Sequence, residues 1–133
     1  MMQILQPPGW AKPKGFANGI AVKGGTTVYI AGQVGFTGQR EWREKAFAGQ
    51  FRQALGNILD VLAEAGGRPE HLVRLTWYVL DKAEYLASLQ EVGAAYRELM
   101  GRHYPVMAVL QVGALVEDAA RLEIEATAVV PGD

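Results

Sequence analysis

The feature that most restricts this chain is its hydrophobic period, which changes from two to about 3.6 and back, twice over. The order it predicts is strand, strand, helix, strand, helix, strand, strand. Gly19–Lys23 and Thr26–Ala31 are short apolar runs on either side of Gly24-Gly25, the pattern of a hairpin. Between Trp42 and Ala65, residues Phe47, Phe51, Ala54, Leu55, Ile58 and Leu62 fall on one helical stripe, which Gly66-Gly67 stops. His71–Leu80 is a β-rich run. Asp81 follows it, with Glu84 three residues on, as in a capping box. The second helix carries Leu86, Leu89, Val92, Tyr96 and Leu99, and ends at Gly101 before Pro105. Val106–Leu115 and Arg121–Val130, joined by residues 116–120, read as a second hairpin.

Length and composition narrow the function classes. The 133 residues suit one domain, 1–133, with residues 1–18 as a loose amino-terminal segment rich in Pro and Gly. Zero cysteines exclude disulfides, thiolate metal sites and a cysteine nucleophile, and two histidines leave a transition metal short of ligands. Thirteen Lys+Arg against fourteen Asp+Glu supply no basic field for a nucleic-acid backbone. No apolar run approaches the roughly 18 residues that a membrane span needs. The expectation is a soluble cytoplasmic protein with no nucleic-acid or membrane partner, and no metal or other cofactor.

Two amphipathic helices cover one face of a four- or five-stranded sheet, and right-handed crossovers put both on the same side. The other face is mixed: Arg74, Thr76 and Tyr78 on one strand; Met107, Val109 and Gln111 on the next; Arg121, Glu123, Glu125, Thr127 and Val129 on the last. It is too apolar for water and too polar for a dry core. Such a surface belongs to an oligomer interface or a ligand cleft.

Several strings, in order over about residues 15–130, resemble the reactive intermediate deaminase family, RidA/YjgF. They are Val28-Tyr29-Ile30-Ala31-Gly32-Gln33-Val34, Asn57-Ile58-Leu59 through Ala63-Glu64-Ala65-Gly66-Gly67, Val73-Arg74-Leu75-Thr76-Trp77-Tyr78-Val79, Gln111-Val112-Gly113-Ala114-Leu115 and Leu122-Glu123-Ile124-Glu125-Ala126. The resemblance implies a chorismate-mutase-like two-layer α+β fold, β-β-α-β-α-β-β, with two helices on one face. It also implies a homotrimer with small-molecule clefts between subunits. Members hydrolyse reactive enamines and imines, such as 2-aminoacrylate, to a carbonyl compound and ammonia without a cofactor.

Carried over residue by residue, the resemblance makes Glu123 the catalytic carboxylate. It places Gly32, Gln33, Phe16, Met107 and Ala108 at the substrate, and Tyr104, just before Pro105, joins them at the mouth of the inferred cleft. The chain also departs from the pattern. The family's carboxylate-clamping Arg, two residues after the strand-opening Pro, is Met107 here; the following Ser or Thr is Ala108. The Ser before the Gly-Gln pair is Ala31, and the usual amino-terminal Tyr is Phe16. Losing a bidentate Arg weakens carboxylate binding by on the order of a hundredfold.

The expected function is therefore imine or enamine hydrolysis with an altered, more apolar or aromatic substrate range. Two alternatives stand beside it: a non-catalytic metabolite sensor or interaction protein, and a deaminase for an aminomuconate-like catabolite whose carboxylates meet Arg74 or Arg121. Trp10, Phe16, Phe36 and Trp42 form a candidate aromatic pocket around Gly32-Gln33, and Trp77 reads as packing. His103, with Tyr104, is placed at the mouth of the cleft as a helix-capping cation.

Overall fold

In the computed structural model, which describes residues 2–132, the elements are β1 (Met2–Leu5), β2 (Gly19–Val22), β3 (Thr26–Gln33), α1 (Phe47–Ala63), a 3-10 turn (Pro69–His71), β4 (Leu72–Val79), α2 (Lys82–Ala87), α3 (Leu89–Met100), β5 (Val106–Gln111) and β6 (Leu122–Val130). The main sheet runs β3-β6-β4-β5, and a small second sheet pairs β1 with β2. β6 is antiparallel to both neighbours, whereas β4 and β5 are parallel, as a crossover through α2 and α3 requires.

The core lies between the helices and one sheet face. Phe51, Leu55, Ile58 and Leu62 of α1 are fully buried against Leu72, Leu75, Leu122 and Ile124. Each such side chain contributes about 1.5–3 kcal/mol relative to exposure. The Gly66-Gly67 pair ends α1: Gly66 N–H donates to Ala63 O at 2.9 Å and Gly67 N–H to Leu62 O at 3.1 Å, with Gly66 at φ 73°. These are the two bonds of a Schellman cap. Buried Gln50 ties α1 to the approach to β6. Its Nε2 donates to Glu44 O and Ala119 O, and its Oε1 accepts from Arg121 N–H.

Both expected hairpins are overturned. β2 pairs with β1, and β3 with β6, so Gly24 and Gly25, at φ 71° and 80°, turn a corner between two sheets. A Cβ on Gly25 would stand 2.6 Å from Val130 O, which leaves that corner to glycine. At the other end, β5 stops at Gln111 rather than Leu115. The longer connection lets the chain step past the end of β4, so that β6 enters between β3 and β4. There the alternation of Leu122, Ile124, Ala126 and Ala128 is buried under the helices, as its spacing requires.

Three smaller expectations also change. The segment read as loose contains β1, and Ala17 bridges to Val106, its N–H donating to Pro105 O at 3.1 Å. The first helix starts at Phe47 rather than Trp42. Residues 37–41 form instead a tight turn around buried Thr37, whose Oγ1 accepts from Gln39 and Glu41 N–H. The second helix is broken at Ser88, and Leu86 and Leu89 stand exposed while Val92, Ala95, Tyr96 and Met100 face the core. Asp81 caps α2 by accepting from Ala83 and Glu84 N–H, but the Glu84 carboxylate turns to Arg121 instead of closing the box.

Candidate functional site

The expected site residues fall into two groups on one chain. The first group surrounds a cavity of about 440 Å³ between α3, β4 and β5, and it unites Phe16, Tyr104 and Met107. Local structure explains each placement. The Ala17–Val106 bridge pins the amino-terminal segment against the start of β5, which sets Phe16 beside Met107. His103 Nε2 lies 2.6 Å from Leu72 O, so the ring anchors this loop to β4 rather than capping the helix. Tyr104 then stacks on Tyr96, with ring centroids 5.2 Å apart and planes within 5°, and the Tyr96 hydroxyl donates to His103 O at 2.6 Å. Burial is the first cause that pushes the Tyr96 phenol well above its ordinary range, and it raises Tyr85 too.

Met107, Val109 and Gln111 are not on the helix-free face as expected: the parallel register sets them beside Leu75, Trp77 and Val79, and Met107 packs on the core side of the sheet. Ala108 opposes Thr76 and lies on the helix-free face, where it lines a second hollow of about 370 Å³ with Phe16, Arg74 and Met107.

The second group is Gly32, Gln33 and Glu123. Between Ile30 and Gln33 the β3–β6 register slips, and this bulge brings Gly32 against the Glu123 side chain. A Cβ on Gly32 would stand 2.8 Å from Glu123 Cδ, so the carboxylate occupies the space a side chain would take. Glu123 opposes Tyr78 on the helix-free face, is half-buried, and joins no hydrogen bond or ion pair among the described residues. Its neighbour Glu125 accepts from the Tyr78 hydroxyl at 2.6 Å, which raises the Tyr78 pKa. Gln33 donates its amide to Ala31 O at 3.1 Å, within its own strand.

β4 separates the two groups. The registers put Glu123 opposite Tyr78 and Met107 opposite Leu75, three positions away, so their side chains leave opposite faces of the sheet. One chain alone does not bring them together.

Other expected partners are placed differently. Arg121 is engaged away from Glu123, its Nη1 on Glu84 at 2.9 Å and its Nε on Lys45 O at 3.1 Å. The four aromatics around Gly32-Gln33 do not share a pocket: Phe36 and Trp42 meet edge-on at 5.3 Å, Trp10 is exposed, and Phe16 lies in the main cavity. Sequence reasoning passed over Trp77, Tyr85 and Arg97 as cavity residues. The available signal was Gly93, a glycine inside a helix, four residues before Arg97. No group of three His, Cys, Asp or Glu among the described residues is gathered for a metal ion, and no helix is long and apolar enough to cross a membrane.

Comparison with known proteins places the architecture. Residues 13–130 match the family described as Endoribonuclease L-PSP. A RutC family protein of Pyrococcus horikoshii is 32% identical over 109 residues, 81% of this chain and 82% of that one. Among solved structures, YyfB of Yersinia pestis, a Rid-family protein of unknown function, superposes with a TM-score of 0.86 at 28% identity, covering 97% of this chain and 98% of the other. RidA of an Antarctic Psychrobacter superposes with a TM-score of 0.68 at 30% identity, covering 96% and 99%.

Proposed function

Since the chain belongs to the RidA/YjgF family, we propose that it is a homotrimeric small-molecule-binding protein that hydrolyses reactive imines with an apolar or aromatic body. The observation that carries this reading is Glu123. A half-buried carboxylate with no partner among the described residues, fitted against a glycine, is available for chemistry rather than for holding the fold. Its neighbour Glu125 is already taken by Tyr78.

In the proposed reaction a neighbouring copy covers the helix-free face and wraps the β5 edge, where Phe16 and Met107 line hollows on both sides, so that its Glu123 and Gly32 reach the aromatic cavity of the first. Water attacks the carbon of the protonated C=N bond, and Glu123 accepts a proton from that water. The same carboxyl group then returns the proton to nitrogen, and the C–N bond breaks as the C=O bond forms and the hydroxyl proton leaves to solvent. Imine and water become carbonyl compound and ammonia, with no electrons exchanged. One group cycling a proton in this way contributes about 10²–10⁴-fold. Met107, in the place of the family's Arg, turns the pocket toward apolar bodies.

The test is ammonia release from imines generated in situ by an amino-acid oxidase. Glu123→Gln should slow release by at least about a hundredfold while leaving ligand binding in place. Equal rates for wild type and Glu123→Gln, across aliphatic and aromatic imines, would overturn the catalytic role and favour the non-catalytic sensor. Of the two cations the aminomuconate reading calls on, Arg121 is already held by Glu84 and Lys45 O, which leaves Arg74, exposed on the helix-free face, to carry it.

A further inference from the structure

The aromatic cavity has a charge pattern of its own. Its lining includes two cations, Lys14 and Arg97, and no carboxylate, on a chain whose formal net charge is -1. The residues three and four positions from Arg97 along α3 are Gly93, Ala94, Met100 and Gly101, none of them acidic, so the helix offers it no counterion. Arg97 joins no hydrogen bond or ion pair of its side chain among the described residues. Its guanidinium folds back over Gly93, with Nη1 3.2 Å from where a Cβ would stand. A methyl at Gly93 would press on the guanidinium and require its tip to give by a few tenths of an ångström.

The walls are rings. Tyr96 and Tyr104 stack, and Trp77 meets Tyr85 edge-on at 6.1 Å. Trp77 is only 4% exposed, and its Nε1 is the buried side-chain polar atom without a hydrogen-bond partner among the described residues. The ring of Trp77 lines the cavity, while its Nε1 is turned into the packed interior.

We propose that this cavity takes an aromatic carboxylate, its ring among Trp77, Tyr85, Tyr96 and Tyr104 and its carboxylate on Arg97. α3 then supplies the anion grip that Met107 removes from β5. The inference rests on reading the cavity as the substrate pocket, and it deepens that reading to imino acids with an aromatic side chain.

Binding needs no turnover, so calorimetry separates the two claims. The probes are 3-phenylpropanoate and its neutral isostere 3-phenylpropanamide, titrated into the wild-type protein and Arg97→Gln at low and moderate salt. The acid should bind wild type at least about tenfold more tightly than the amide, a preference that shrinks with salt. Arg97→Gln should abolish the preference and leave the amide's affinity unchanged. Equal binding of acid and amide to wild type, or an unchanged preference in Arg97→Gln, overturns the anion grip while the pocket survives. No binding of either probe overturns the pocket as well. Imine turnover lost in Glu123→Gln with acid binding intact would support both claims.

Discussion

At the scale of single residues, two glycines mark the proposed chemistry, each lying against a charged side chain. Gly32 yields its space to the Glu123 carboxylate, and Gly93 lies under the Arg97 guanidinium. The second case makes a prediction in which stability and binding move in opposite directions. Gly93→Ala should stabilise α3 by about 1 kcal/mol, because alanine is the better helix former. It should also weaken binding of an aromatic carboxylate, since the added methyl displaces the tip of Arg97. Urea denaturation and calorimetry on the same variant check both signs, and a rise in stability with no loss of acid affinity would detach Gly93 from the pocket. The roles proposed for Glu123 and Gly32 come from residue strings; the structure adds that the two residues lie against each other. Arg97 was not legible that way, because nothing in a helical stripe says which way a guanidinium folds, and the empty place over Gly93 appears only in three dimensions.

At the scale of elements, the period of each strand and helix was readable, while the pairing of strands was not. Leu122, Ile124, Ala126 and Ala128 mark a buried strand face in the sequence as clearly as in the structure. That pattern holds equally for a hairpin partner of β5 and for a central strand beside β4. Topology decides between them: the parallel crossover takes the free edge of β4 for β5, and β6 fills the opposite one. The break at Ser88 likewise follows from packing, which takes Leu89 out of the core and sets it at the cavity.

The docking of α3 can be tested by pH. Tyr96 donates to His103 O, and burial raises its pKa above the value near 10 expected of an unfolded chain. A raised folded-state pKa means that the phenol's contribution is fully present below about pH 10 and is lost as pH climbs through the folded value. Tyr96→Phe should therefore unfold more readily than wild type at pH 7, by about 1 kcal/mol for the lost hydrogen bond. The gap in urea midpoints should narrow above about pH 10, where only the wild type has this phenol to protect from ionisation. A gap that stays constant from pH 7 to 11 would show that Tyr96 is not titrating against the fold.

At the scale of the whole molecule, the helix-free face is the open question that both sequence and structure pose. Tyr29 is 81% exposed and Leu110 46% exposed on it, with Arg74, Thr76 and Glu123 between. The face is continuous with the Gly32–Glu123 group, while the aromatic cavity opens on the far side of β4. The proposed assembly through this face would unite the two groups that one chain holds apart and cover the apolar residues on its surface. The direct measurement is the mass in solution at micromolar concentration by light scattering coupled to size exclusion. The account predicts three times the 14.4 kDa chain; a particle of one chain's mass would leave Glu123 without a substrate pocket and contradict it.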